Sequence, residues 1–383
     1  MKIAVVHDWL VIHGGAERVL EHILDCYPEA DLFSLIDFVP AEQRHFLRGR
    51  TPRTSFLQRL PGAKRHYRKL LPLMPYAIEQ FDLGSYELVI SSSYAVAKGV
   101  LTGPNQLHVC YCHSPMRYAW DQYHFYLKAT GLNKGVRSIF AQWQLHAIRD
   151  WDARNSLSVD RFLANSRFVR ERIWKYYRRN AEVIYPPVDT SFFTPYEPKE
   201  NFYITAGRLV PYKCIGLVAE AFSHMPEKKL IIMGDGPEMA RIRAKASANV
   251  EFKGFQPVSV LREYLSRAKA FIFPSQEDFG IVPVEAQACG TPVIAFGMGG
   301  ALETIVSPEM AAVDGGKPTG LFFTEQSAAA ISGSIERFES MPGVFNAVEI
   351  SQRVERFSPD RFKREFTAQV EAAREEKRAR VGS

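Results

Sequence analysis

The segment Pro274-Ser-Gln-Glu-Asp-Phe-Gly-Ile-Val-Pro-Val-Glu-Ala-Gln-Ala-Cys-Gly290 places two carboxylates, Glu277 and Glu285, on either side of a glycine. The apolar run before it, Ala270-Phe-Ile-Phe-Pro274, reads as a buried strand that empties into a loop. A helix is expected to begin near Pro283, since proline suits a first helical turn, and to stop at Gly290, since glycine suits the left-handed position past a helix end. The start of such a helix leaves N–H groups unpaired beside the positive end of its dipole, which makes an anion site, most often for phosphate. Carboxylates beside those amides accept hydrogen bonds from sugar hydroxyls, so the pattern suits a phosphorylated sugar. The same spacing also arises where acidic residues only complement a helix dipole. The pair alone does not separate these readings.

Three further groups could do related chemistry. In Ala206-Gly-Arg-Leu-Val-Pro-Tyr-Lys213, Arg208 and Lys213 follow a strand and precede a helix. A planar fork beside a point charge suits a diphosphate, and it equally suits a surface ion pair. Gly14-Gly15 lies between the first strand and the first helix, where paired glycines let backbone come close to a ligand or simply make a tight turn. His113 ends the strand-like run Leu107-His-Val-Cys-Tyr-Cys, where a lone histidine is more often packed or hydrogen-bonded than catalytic, and Asp121, Tyr118, Trp120 and Tyr123 nearby could shape a sugar pocket. Gly234-Asp-Gly-Pro237 reads as a plain turn. No metal site is expected: Asp150-Trp-Asp152 spells D-x-D, but inside a helical pattern and not at a strand end.

The elements that must hold these groups alternate. Strands are expected at 2–7, 30–36, 87–92, 107–112 and 158–165, with helices between them. Prolines crowd the stretch Ile184-Tyr-Pro-Pro-Val-Asp189 and Thr194-Pro-Tyr-Glu-Pro198, which reads as a linker. A second series of strands follows at about 202, 229, 250, 270 and 292. The fold class is therefore α/β with two doubly wound parallel-sheet domains, at 1–186 and 187–358, and a helix at 359–383 that could cap the first. That helix repeats Phe362, Phe366 and Val370 on one face.

Composition narrows the class further. The chain has 383 residues, 46% hydrophobic and 23% charged, with five scattered cysteines that read as reduced thiols. Its apolar runs are short of the ~20 residues a membrane span needs. The amino terminus has no secretory pattern, and a cytoplasmic location is expected. Between Arg44 and Lys69 stand nine Lys/Arg and no acid, interleaved with Phe46, Leu47, Phe56, Leu57, Leu60 and Tyr67. This stretch fits an anionic membrane surface, a solvated basic face, or nucleic acid.

Taken in order, His7-Asp-Trp with Gly14-Gly-Ala-Glu-Arg18, His113-Ser-Pro, Ala164-Asn-Ser-Arg-Phe, Tyr185-Pro-Pro-Val-Asp, Gly207-Arg-Leu-Val-Pro-Tyr-Lys213, Gly234-Asp-Gly-Pro and Glu277-Asp-Phe-Gly-Ile-Val-Pro-Val-Glu285 resemble the retaining, GT-B-fold glycosyltransferases of family 4 over nearly the whole chain. Within that family the chain looks most like bacterial mannosyl- and rhamnosyl-type transferases of polysaccharide and O-antigen assembly. The resemblance implies two Rossmann-like domains facing across a cleft and a metal-independent reaction with no cofactor. Arg208 and Lys213 would hold the donor diphosphate, Glu285 the ribose and Glu277 the donor sugar. Backbone amides of Phe279, Gly280, Ile281 and Val282 would contact phosphate and sugar, the Gly14-Gly15 loop would approach the diphosphate, and His113 would bind the sugar near its reacting carbon. The expected donor is a GDP-sugar such as GDP-mannose, with a UDP-sugar as the alternative. The expected acceptor is a lipid-linked saccharide at the inner face of the cytoplasmic membrane, docked through residues 44–69, with no nucleic acid as partner. A nucleotide-sugar epimerase or sugar phosphorylase on the same architecture is the rival enzyme, and a basic nucleic-acid-binding protein the rival of another class. One departure stands out: the family usually has glycine after the loop lysine, and here it is Cys214.

Overall fold

The computed structural model describes residues 1–381. They form two compact units, Met1–Pro187 with the helix from Asp360 onward, and Val188–Pro359.

The first unit is a seven-stranded sheet with β1 (Ile3–His7), β2 (Asp31–Ser34), β3 (Arg53–Thr54), β4 (Leu88–Ser93), β5 (Leu107–Cys112), β6 (Arg161–Ala164) and β7 (Ala181–Val183). All pairings are parallel and the order is β3-β2-β1-β4-β5-β6-β7. Helices cover both faces, so β1, β4 and β5 are buried at every position and read in sequence as apolar or small-residue runs interrupted only by the buried His7 and His108. On one face the Gly15–Cys26 helix buries Val19, Leu20, Ile23 and Leu24 together with Phe362, Phe366, Val370 and Ala373 of the carboxy-terminal Pro359–Val381 helix. The last helix thus completes the core of the first unit, with Arg361 donating to the Tyr185 carbonyl at 2.9 Å.

The second unit is a six-stranded parallel sheet: β8 (Phe202–Ala206), β9 (Lys229–Met233), β10 (Val250–Gly254), β11 (Ala270–Phe273), β12 (Val293–Phe296) and β13 (Gly320–Phe323), in the order β10-β9-β8-β11-β12-β13. Each sheet reverses its strand order once, between β1 and β4 in the first unit and between β8 and β11 in the second. The crevice at the carboxyl ends of the strands at such a point is where open α/β sheets take ligands. The loops singled out in the sequence fall at these two points: Gly14-Gly15 follows β1, while Arg208 follows β8 and Glu277 follows β11. Among the described residues no helix is long and apolar enough to cross a membrane.

The basic stretch 44–69 splits in two. Phe46, Leu47 and Leu57 are buried in the core, Leu60 and Tyr67 pack against it, and only Phe56 is exposed. Arg44 pairs with Asp37, Arg48 with Asp25 and Glu21, and Arg53 with Asp31, while Arg50 donates to the carbonyls of Ala30, Tyr27 and Pro28. An amphipathic membrane element needs its large apolar residues on the surface, and here most of them hold the fold together. Arg59, Lys64, Arg65, Arg68 and Lys69 are all turned to solvent.

Candidate active site

In the second unit the Pro274–Gly290 segment forms the expected strand, loop and helix. The helix runs Ile281–Ala288, starting two residues earlier than the proline suggested. Gly280 caps it at φ +87, with no side-chain capping hydrogen bond, so Ile281 and Val282 open a helix start that no side chain closes. A Cβ at Gly280 would meet the Phe273 ring at 3.2 Å, so φ and space both require glycine there. The Phe279 ring is buried against Phe357, leaving its backbone to the loop.

Glu277 and Lys213 form a direct ion pair, and Ser275 Oγ donates to Glu277 Oε1 at 2.9 Å. The two residues assigned to sugar and diphosphate therefore hold each other across the adjacent loops after β8 and β11. Glu285 is placed a turn into the helix and is 1% exposed, so the carboxylate assigned to the ribose is covered. Arg208 is exposed at the tip of its loop. That loop is seated by Gly234-Asp-Gly-Pro237, which is more than a plain turn. Leu209 N–H donates to the Asp235 carbonyl at 2.9 Å, Glu238 N–H donates to the Leu209 carbonyl at 3.1 Å, and Cβ atoms at Gly234 or Gly236 would collide with the Gly207 or Leu209 carbonyl. Cys214, in place of the usual glycine, keeps the left-handed conformation a glycine would have, at φ 54.

A second glycine pair goes unnoticed in the sequence reading. Gly299-Gly300 lies after β12 and presses on the Glu277 loop, with Gly300 N–H donating to the Glu277 carbonyl at 2.9 Å. A Cβ at Gly300 would lie 2.4 Å from Phe279 Cα. A glycine pair just past a strand end was the available signal, as it was at Gly14-Gly15.

In the first unit the candidates gather around buried polar groups. His113 is buried at the end of β5, and burial, with His7 adding to it, pushes its imidazole down to about 3. It is therefore neutral near pH 7. Its Nε2 lies 2.8 Å from Ser92 Oγ, which lies 3.1 Å from His7 Nδ1. His7 Nε2 in turn lies 3.5 Å from Glu17 Oε1, and Glu17 Oε2 accepts the Gly14 N–H at 3.0 Å. A hydrogen-bonded chain thus joins His113 to the glycine loop through Ser92, His7 and Glu17. Asn165 donates to the His113 carbonyl at 2.9 Å and fixes the backbone. The β1–β4 register sets His7 directly opposite Ser92, a fact that neither stretch of sequence reveals by itself.

The Gly14-Gly15 loop differs from its expected role in one respect. Glu17, three residues past Gly14, closes a capping box and takes the Gly14 amide for itself. Beside it, both carboxylate oxygens of Asp8 accept backbone amides, Oδ2 from Tyr94 and Ala95 and Oδ1 from Val96 and Ala97, at 2.5–3.0 Å. That clamp ties the end of β1 to the loop after β4.

The expected sugar pocket is occupied by the fold itself. Asp121 pairs with Arg172 at 2.6 Å, and Trp120 stacks on Tyr176 and donates to Asp152 at 2.7 Å. Asp152, half of the D-x-D, also accepts from Tyr177 and pairs with buried Lys98. These contacts account for its burial without a metal.

The matches to known proteins follow the same division. Residues 13–192 match the model for Glycosyltransferase Family 4 and residues 189–356 that for Glycosyl transferases group 1. A D-inositol 3-phosphate glycosyltransferase of Mycobacterium sp. (strain KMS) is 29% identical over 168 residues, 37% of this chain and 38% of that protein. A GDP-mannose-dependent monoacylated alpha-(1-6)-phosphatidylinositol monomannoside mannosyltransferase of Corynebacterium glutamicum is 32% identical over 157 residues, 33% of this chain and 41% of that protein. The chain thus matches about two fifths of the length of these relatives. The crystal structure of Anabaena HepE in complex with UDP and glucose superposes with a TM-score of 0.69 at 18% identity, covering 97% of this chain and 99% of that one. The family 4 match falls mainly on the first parallel-sheet unit and the group 1 match on the second, each over a little under half of the chain, and the two units have the Rossmann-like parallel sheets of the GT-B fold.

Proposed function

We propose that the protein is a retaining glycosyltransferase that moves mannose or a related sugar from a GDP-sugar to a lipid-linked saccharide in bacterial cell-surface polysaccharide synthesis. The observation that carries this reading is the strand-end cluster of the second unit. There Arg208 and the Lys213–Glu277 pair stand on loops adjoining an open helix start. Fixed positive charge and backbone amides at one place suit a diphosphate whose negative charge grows as it leaves. On this reading the diphosphate displaces Glu277 from part of Lys213, which frees the carboxylate to accept sugar hydroxyls. The bond from the anomeric carbon to the diphosphate breaks while a bond to the acceptor oxygen forms on the same face. The acceptor proton passes to the leaving diphosphate. Neutral His113 hydrogen-bonds the sugar and does not trade protons with it. Arg208 and Lys213 supply the charge a metal supplies elsewhere, so turnover should survive chelation.

GDP-mannose as donor is supported by the name of the Corynebacterium relative. The second reading, a UDP-sugar donor, is favoured by the HepE complex with UDP and glucose. A thermal-shift panel of GDP-, UDP-, ADP- and dTDP-sugars separates them, because a ligand that binds the folded state raises its melting temperature. Arg208→Ala and Lys213→Ala should each weaken the stabilising nucleotide sugar by about tenfold or more. Unchanged affinity in both variants would overturn the assignment. NMR of the product would test retention, and a free epimer or sugar phosphate as sole product would favour the epimerase or phosphorylase instead.

A further inference from the structure

The Val136–Asn155 helix is fully docked only in its second half. From Leu145 onward it buries Leu145, Ile148, Trp151 and Asp152, while its first half buries Ser138 alone. Before that it exposes an apolar stripe at helical spacing: Val136 at 83%, Ile139 at 69%, Phe140 at 60% and Trp143 at 62%. Phe140 and Trp143 lie against each other, ring centroids 6.2 Å apart, on this open face. Large apolar groups clustered on a surface mark an interaction site.

The charge around the stripe says what covers it. No Asp or Glu occurs from Gln122 to Arg149, while Lys128, Lys134 and Arg137 do, all exposed. The neighbouring Tyr123–Ala129 helix exposes Phe125 on the same connection. Burial raises the Tyr126 phenol on that helix, and the guanidinium of Arg68, from the exposed end of the basic stretch, opposes that rise, so the two lie near one another. The exposed basic run Arg59–Lys69 therefore comes close, at Arg68, to the Tyr123–Ala129 helix that exposes Phe125. A two-fold pairing with a second copy would bring this acid-free basic margin against itself. An anionic bilayer takes both parts, apolar side chains at the acyl boundary and lysine and arginine at lipid phosphates.

We propose that the first half of the Val136–Asn155 helix is a bilayer anchor, inserting Val136, Ile139, Phe140 and Trp143 into an anionic membrane surface, with the Arg59–Lys69 run as its electrostatic margin. The proposal rests on the reading of a lipid-linked acceptor. It moves the apolar contact away from residues 44–69, whose large side chains the core has taken.

The test is sedimentation of the full chain with phosphatidylglycerol-containing vesicles and with pure phosphatidylcholine vesicles. The wild type should bind the former, and salt should weaken it. The charge-neutral variant Ile139→Ser/Phe140→Ser/Trp143→Ser should lose at least about tenfold in binding. Replacing Lys64 and Arg65 by Gln should cost about fivefold per charge, on anionic vesicles only. Brominated lipid should quench tryptophan emission in the wild type and less so in the conservative Trp143→Phe, a readout that survives if the triple variant folds poorly. Wild-type binding to neither vesicle, or equal binding by the serine variant, overturns the anchor. So does a wild-type dimer that the serine variant converts to monomer. Nucleotide-sugar binding by the same proteins is read separately, so a failed anchor leaves the transferase reading standing, and a failed transferase shows as lost donor binding with lipid binding intact.

Discussion

Each unit sets a glycine loop between a strand end and a helix start, and the two starts are finished differently. At Gly14 the helix supplies its own carboxylate: Glu17 takes the Gly14 amide and contacts His7. At Gly280 no side chain caps the start, and the nearby carboxylate, Glu277, is held to one side by Lys213. One start is closed and lies beside the His7, Ser92 and His113 chain, the other is open and lies beside cations. The same local pattern thus does not make the same anion site. What decides is whether a carboxylate three residues into the helix has already answered the amides.

The largest effect that would sharpen this contrast is on stability in acid. Burial pushes His108 down to about 4 and His113 to about 3, from an ordinary 6.5, and both lie in the first unit. Between those values and 6.5 the unfolded chain binds protons that the folded chain refuses. Stability is therefore full above pH 6.5 and falls as pH drops, by about 1.4 kcal/mol per pH unit for each histidine. Denaturant melts from pH 7 to 5 should show the first unit losing about 4 kcal/mol ahead of the second, whose one histidine, His224, lies outside its strand-end cluster. Equal sensitivity of both units would erase the distinction.

Gly280→Val comes next. It forces a β-branched residue to φ +87 against Phe273, which should cost about 2–3 kcal/mol and lower nucleotide-diphosphate affinity by about 100-fold in calorimetry. Retained affinity would mean that the open start is not the phosphate contact. Glu17→Ala should cost about 1–2 kcal/mol by removing a cap, while affinity for a free nucleoside diphosphate stays within about twofold. A tenfold change in either direction would make the Gly14 loop an anion contact after all. The smallest effect belongs to Cys214→Gly. Relief of the left-handed strain, offset by the entropy of glycine, should stabilise the second unit by less than about 1 kcal/mol without altering donor binding.

The strands and their loops were legible because buried parallel strands are written as continuous apolar runs, and because glycine and proline mark their ends. The charged cluster was legible in part: Arg208, Lys213 and Glu277 were identifiable one by one, but the pairing of the last two depends on β8 lying beside β11. Ser92 sits in the run Ser91-Ser92-Ser93, and only the register against β1 selects it as the bridge between His7 and His113. The basic stretch misled because charge can be counted along a chain, whereas the side of the backbone on which Phe46, Leu47 and Leu57 lie cannot. The exposed stripe at 136–143 has the period of an ordinary core helix, and its lack of cover is a fact of the tertiary fold alone.

The interlock between Gly207–Leu209 and Gly234–Gly236 has a further consequence. The Arg208 loop is seated by main-chain atoms on both sides, with no room for side chains between them. Its shape is therefore independent of what residue 208 is. A substitution there changes what the loop attracts while leaving where the loop stands, so ligand preference and scaffold geometry at this point are separable properties of the chain.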